Sequence, residues 1–189
     1  GIDMADEKGY PAMLQDQLGE KYNVKNYGVS ARTLMKKGNL PYVKELAWRD
    51  AKAFNPNIVI IKLGTNDSKP ENWQFNSTYQ KDLEAMVDTL KSLPAKPQVY
   101  LATPIPAFKG TWNINDSVIV NGIIPIIKKV AKKKRCKIID LHTEYSQYGG
   151  LVLADGIHPN AKGAAKMADI IFNSLSFELQ RKTVCGKQK

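Results

Sequence analysis

The chain has 189 residues, 43% of them hydrophobic and 24% charged, the make-up of one globular domain with a core of its own. Lysine and arginine outnumber the acids 28 to 18, a formal charge of +10 that raises the question of an anionic partner. No apolar run approaches the roughly 20 residues of a membrane span, and the two cysteines, Cys136 and Cys185, lie too far apart to suggest a cysteine framework or a zinc site, though they leave a single disulfide open.

In chain order, Tyr10 to Gly19 reads as a helix with Pro11 in its first turn and Gly19 past its end. Val24 to Tyr27 reads as a short strand, closed by Gly28-Val29-Ser30. Helical spacing returns over Pro41 to Phe54, through Val43, Leu46, Ala47 and Ala51. Ile58 to Leu63, nearly all β-branched and apolar, is the clearest strand, of the kind covered on both faces of a parallel sheet. It runs into Gly64-Thr65-Asn66-Asp67. From Tyr79 a helix face follows in Leu83, Met86, Leu90 and Leu93, capped by Asn76 or Ser77. Gln98 to Ala102 is the next strand, and Thr103-Pro104-Ile105-Pro106 the loop after it. A helix is expected from near Asp116 toward Lys134, with Pro125 forcing a kink or a break. Lys137 to Leu141 is another strand, and a closing helix runs from Ala161 to about Leu175, with Asn160 as its N-cap. Strands alternating with helices predict an α/β fold, a parallel, flavodoxin-like sheet in a three-layer α/β/α sandwich. Residues 1–175 are expected to form one domain, and residues 176–189 a basic C-terminal tail.

Sites in such sheets lie at the carboxyl ends of the strands, which is where the residues that could carry chemistry fall. Asp155 stands three residues before His158. It can hold the imidazole Nδ1–H and leave Nε2 to take a proton from a nucleophile, while Pro159 keeps His158 extended. The same residues also read as a surface turn with no chemistry. The Asn66 amide, at the end of the strongest strand, can donate to a developing oxyanion or merely close an Asx turn. Gly28 offers an uncrowded backbone N–H. Together these are an oxyanion hole and a general base awaiting a nucleophile. Trp73, Phe108 and Trp112 follow strands and could wall a pocket or anchor loops, and His142 reads as structural. The cluster Lys128, Lys129, Lys132, Lys133, Lys134, Arg135 and Lys137 closes a helix, where cations complement the dipole. No aromatic residues interleave with it as a single-strand groove requires, so the expectation is a solvated helix end and no nucleic-acid partner.

With these residues in place the chain resembles the SGNH, or GDSL-type, esterases and lipases from about Tyr10 to Leu175. Asn26-Tyr27-Gly28-Val29-Ser30 is similar to the family's second block, Gly64-Thr65-Asn66-Asp67 to its third and Asp155-Gly156-Ile157-His158-Pro159 to its fifth. The resemblance implies a carboxylic ester hydrolase working through an acyl-enzyme. His158 would be the base, Asp155 its orienting acid, and Gly28 and Asn66 the oxyanion donors. It implies no metal or organic cofactor. Lys69-Pro70-Glu71-Asn72-Trp73 resembles the branch that acts on carbohydrate acetyl esters, so the implied partner is a short acyl ester, with Arg32, Trp73 and Trp112 as candidate contacts. Two blocks depart from the pattern. Ala31-Arg32 stands where the family often has Gly-Ala, and Arg32 is expected to be solvated. The first block, Gly-Asp-Ser, which holds the nucleophile, is absent. In the family it ends the first strand, a few residues before a segment like Gly1-Ile2-Asp3. The expectation is therefore a further N-terminal strand carrying the serine, and a secreted or periplasmic protein if that segment also bears a signal peptide. Ser30 is a poor substitute, since the second block often has a turn serine there. As it stands, the sequence also fits a carbohydrate-binding scaffold that keeps the fold without the nucleophile.

Overall fold

A computed structural model describes residues 9–185, with side chains described as far as Leu175. The elements in order are α1 (Tyr10–Leu18), α2 (Leu46–Ala53), β1 (Ile58–Ile61), α3 (Pro70–Trp73), α4 (Tyr79–Lys91) and β2 (Gln98–Ala102), then α5 (Asp116–Val118), α6 (Ile124–Lys134), β3 (Lys137–Ile139), α7 (Leu141–Tyr145) and α8 (Ala161–Cys185). The strands form a parallel sheet in the order β1-β2-β3, with Ile58 opposite Gln98, Ile61 opposite Leu101 and Leu101 opposite Ile138.

The period-2 alternation of strand side chains divides the core into two halves. Val59, Ile61, Val99, Leu101 and Ile138 face one cluster, into which α4 sends Tyr79, Leu83, Met86, Val87 and Leu90, and α6 sends Ile127, Val130 and Ala131. Ile58, Ile60, Tyr100, Ala102 and Ile139 face the other, filled by Leu14 of α1 and by Met167, Ala168, Ile170, Ile171 and Leu175 of α8. Helices on both faces of a parallel sheet make the expected three-layer α/β/α sandwich. Each large aliphatic side chain so buried contributes roughly 1.5–3 kcal/mol.

The expected elements differ from the observed ones in several places. Neither Asn76 nor Ser77 caps α4; both lie in a 3₁₀ turn, Asn76–Thr78, and Thr78 precedes the helix with no side-chain cap bond. The strands end sooner than expected, β1 at Ile61 and β3 at Ile139, with Leu141 already in α7. Val24 to Tyr27 joins no ladder. The Val24 N–H donates instead to Gln15 Oε1 (2.6 Å), the Tyr27 carbonyl accepts from Tyr42 Oη (2.7 Å), and the segment stays irregular. The helix expected over Pro41–Phe54 is split, because Glu45 is extended (ψ 148°) between a short 3₁₀ turn, Tyr42–Lys44, and α2. Its carboxylate is drawn to Arg32 (2.7 Å). The break expected from Pro125 takes the form of a π-helical stretch, Ile119–Ile123, joining α5 to α6. That widened turn accommodates a proline with no N–H to give, and Gly122 within it lets the Trp73 ring approach closely. Finally, α8 runs to Cys185, past the expected end near Leu175, so the start of the basic tail is helical; Gly186–Lys189 lie outside the described residues.

Lysines of the basic cluster pair with acids across the surface: Lys128 with Asp140 (2.9 Å), Lys133 with Glu84 (2.8 Å) and Lys134 with Asp88 (2.6 Å). Cys136 is a free, half-buried thiol. Among the described residues no helix is long and apolar enough to cross a membrane.

Candidate active site

The Leu153–Pro159 loop is shaped by its own backbone. The Leu153 N–H donates to the His158 carbonyl (2.7 Å), and Val152 bridges to Pro159. Asn160 caps α8 as expected, its Oδ1 accepting from the Gly163 N–H (3.0 Å). Asp155 serves the turn and the ring at once. Its Oδ1 accepts from the N–H groups of Ile157 (2.7 Å) and His158 (2.9 Å), while its Oδ2 lies 3.0 Å from His158 Nδ1. Partial burial pushes the Asp155 carboxyl up, but the His158 and Ile157 amides and the imidazole outweigh it and hold the group below the usual carboxylate range. An ionised Asp155 fixes the Nδ1–H tautomer and points Nε2 away from itself. The His158 side chain is 32% exposed. Among the described residues no hydroxyl or thiol hydrogen-bonds to it.

This loop is gripped from outside by the segment that holds Phe108 and Trp112, through Lys109 and Thr111 as well, two residues the sequence did not single out. Lys109 Nζ donates to the Ala154 carbonyl (2.9 Å), Thr111 Oγ1 to the Asp155 carbonyl (2.7 Å) and the Phe108 N–H to the Gly156 carbonyl (2.9 Å). Three successive carbonyls are thus held by residues 108–111. The close approach requires glycine at 156, where φ is 72° and a Cβ would lie 2.9 Å from the Lys109 backbone nitrogen. Next along the same segment, the rings of Trp112 and His158 meet edge-to-face, the centroids 5.4 Å apart at 67°.

Asn66 opens a 3₁₀ turn after β1. Gly64 before it has φ 129°, and a Cβ there would sit 2.9 Å from Tyr79 Oη, so the chain can turn here only without a side chain. The Asn66 carbonyl accepts from Asn72 Nδ2 (2.8 Å), whereas its side-chain amide has no hydrogen-bond partner among the described residues and is free to donate. The neighbouring Asp67, also missed, is fully buried. Its two oxygens accept from the Leu34 N–H (2.9 Å) and the Met35 N–H (2.8 Å). Burial raises its carboxyl to about 6, against the pull of those amides. Asn72 accepts from the Asn39 N–H (2.9 Å), so Asp67 and Asn72 tie the 33–40 loop to the turn that carries Asn66, while Asp82, accepting from the Lys36 N–H (2.9 Å), ties it to α4. Asp67 directly follows Asn66 in a strand-end motif, which is the signal that could have flagged it.

The structure places three sequence-predicted contacts elsewhere than expected. The Gly28 N–H is not free, because it donates to Asn26 Oδ1 (2.9 Å) in an exposed Asx turn. Arg32 is not simply solvated; it pairs with Glu45 and donates to the Ser30 carbonyl (2.9 Å), bracing the loop. Trp73 packs against the core, its ring 5.9 Å from that of Tyr79 and pressed on Gly122. His142 has the structural setting expected of it. Its N–H donates to Thr103 Oγ1 (2.9 Å), and Nε2 lies 3.3 Å from Asp116, whose carboxylate also accepts from the Ala107 N–H (2.7 Å).

An oriented imidazole, a free carboxamide at a strand end and glycine-tight turns around both are the parts of an acyl-transfer site, and the comparisons agree in kind. An acetylxylan esterase of Xylanibacter ruminicola is 54% identical over 188 residues, covering 90% of this chain and 39% of the relative. A multidomain esterase of Ruminococcus flavefaciens is 30% identical over 120 residues, covering 61% of this chain and 15% of the relative. The chain therefore spans about two fifths or less of these relatives' length. Among solved structures, an acetyl xylan esterase superposes with a TM-score of 0.69 at 20% identity, covering 88% of this chain and 90% of that one. A carbohydrate acetylesterase from Sinorhizobium meliloti gives 0.68 at 18% identity, covering 89% and 84%. Both share the fold. The GDSL-like lipase/acylhydrolase family matches residues 1–166, nearly the whole described sandwich together with the Asp155–His158 loop, and the chain belongs to that family.

Proposed function

We propose that the chain is the hydrolase domain of a carboxylic ester hydrolase that removes O-acetyl groups from carbohydrates. The observation that carries this reading is the Asp155–His158 pair, 3.0 Å apart through Nδ1 on a partly exposed imidazole, in a chain 54% identical to an acetylxylan esterase. In this reading a serine hydroxyl attacks the acetyl carbonyl carbon and gives its proton to His158 Nε2. The oxyanion takes hydrogen bonds from the Asn66 amide and from the Gly28 N–H, which exchanges Asn26 Oδ1 for the substrate. The C–O bond to the sugar breaks, the sugar oxygen takes the proton back from His158, and water repeats the sequence on the acyl-serine to release acetate.

The attacking hydroxyl comes from the family's Gly-Asp-Ser block, on a strand that completes the sheet beside β1. Two features support that placement. Among the described residues β1 has a ladder partner on one edge only, and its apolar Ile58, Val59 and Ile60 are only partly buried. The test is acetate release from acetylated xylan by the full-length protein and by its His158→Ala variant. Release that disappears in the variant supports the reading. No release from a folded protein that binds xylan would favour the carbohydrate-binding scaffold.

A further inference from the structure

We propose that Trp112 is the sugar platform of this site, the surface on which the pyranose bearing the acetyl group rests beside His158. The inference rests on the esterase reading above and specifies the part of the substrate that the site recognises. A large indole is ordinarily well covered, yet Trp112 is 54% exposed while its ring packs at a steep angle against that of His158. Its backbone is left-handed (φ 54°, ψ 32°), and Asn113 after it is left-handed as well (φ 60°). That region disfavours side chains with a Cβ, bulky ones most of all. Strain of this kind persists where the surroundings enforce it, and it gathers at ligand sites.

The surroundings here are the three hydrogen bonds from residues 108–111 to the carbonyls of Ala154, Asp155 and Gly156. They fix the indole to the same loop that carries the base, so platform and imidazole move as one body. The chemistry matches a sugar. A pyranose has a face of C–H groups ringed by hydroxyls, which suits an aromatic surface with an N–H at its rim. An acetyl group is too small to cover such a ring, so the exposed area is left for the alcohol half of the ester. The neighbouring cation is already engaged, since Lys109 is spent on the Ala154 carbonyl. A neutral ligand therefore fits this corner better than an anionic one.

The test compares wild type, Trp112→Ala and Trp112→Phe of the full-length protein on acetylated xylotriose and on ethyl acetate, whose alcohol has no ring. Trp112→Ala is expected to lower kcat/KM for acetylated xylotriose about tenfold more than for ethyl acetate, the difference lying mainly in KM, while Trp112→Phe recovers most of it. An equal loss on both esters, or none on either, would overturn the proposal, the former because it would mark Trp112 as a support for His158 alone. Calorimetric titration with plain xylotriose gives a readout independent of catalysis. Binding that weakens about tenfold in Trp112→Ala supports the platform even if no ester is cleaved, an outcome that would sink the esterase reading alone; binding that is absent from wild type or unchanged in the variant overturns the platform.

Discussion

The Asn115 N–H donates to Ser68 Oγ at 3.0 Å, and the same hydroxyl donates to the Thr65 carbonyl at 2.8 Å. This bond joins the turn that presents Asn66 to the segment that grips the Asp155–His158 loop. Ser68 is 1% exposed, so water cannot replace either partner easily. Ser68→Ala is expected to cost roughly 1 kcal/mol of stability for each of the two partly buried hydrogen bonds lost. Urea denaturation checks it, and an unchanged midpoint would show that the two loops are held independently.

Asn66→Ala should separate catalysis from folding. Among the described residues its side-chain amide supports no other group, so the thermal midpoint should stay near that of wild type. The kcat for acetate release should fall roughly 10²–10³-fold, as for loss of one oxyanion donor. A variant with normal kcat would remove Asn66 from the site.

Asp155 has two duties that two substitutions can divide. Asp155→Asn keeps an acceptor for the Ile157 and His158 N–H groups but no longer selects the productive imidazole tautomer. A rate loss of about 10⁴-fold with little change in stability is expected. Asp155→Ala should add a stability loss of about 1–3 kcal/mol, because the turn's two N–H groups lose their partner. Equal stability of the two variants would show that the carboxylate does not shape the loop.

Asp67 sets a pH dependence of stability. Burial raises its folded carboxyl to about 6 from the ordinary 3.8, so between about pH 4 and 6 the native state holds a proton that the unfolded chain has released. Its contribution to stability is fully present below the unfolded value and is lost as pH rises through the folded one, by roughly 3 kcal/mol in all. Asp67→Asn should abolish that slope. It should also lower stability at every pH, since an amide turns a donor toward either Leu34 or Met35. Denaturation midpoints measured from pH 4 to 7 should therefore converge for the two proteins as pH rises, and parallel curves would contradict the assignment.

What was legible in the sequence is what local chemistry determines. Asp155 and His158 meet because three residues and a following proline leave the turn little choice. β1 is evident from its β-branched run, and α4 from its three- and four-residue spacing. What was not legible depends on partners distant in the chain. Nothing in Asn26-Tyr27-Gly28 says whether the Gly28 N–H faces a cleft or folds back on Asn26, and nothing in Val24 to Tyr27 says whether a neighbouring strand lies alongside. Trp73 and Trp112 both follow strands. Only the packed structure shows that Gly122 draws one into the core while residues 108–111 hold the other out beside the imidazole. Arg32 meets Glu45 thirteen residues on, a pairing that depends on Glu45 interrupting the helix expected over Pro41 to Phe54.

In the proposed mechanism His158 activates a serine. Intact mass of the full-length protein before and after treatment with a fluorophosphonate tests it most directly. One covalent adduct on the wild type, lost or greatly slowed in His158→Ala, is the predicted result. A folded wild-type protein that takes no adduct, or a His158→Ala variant that is labelled as fast as the wild type, would contradict it.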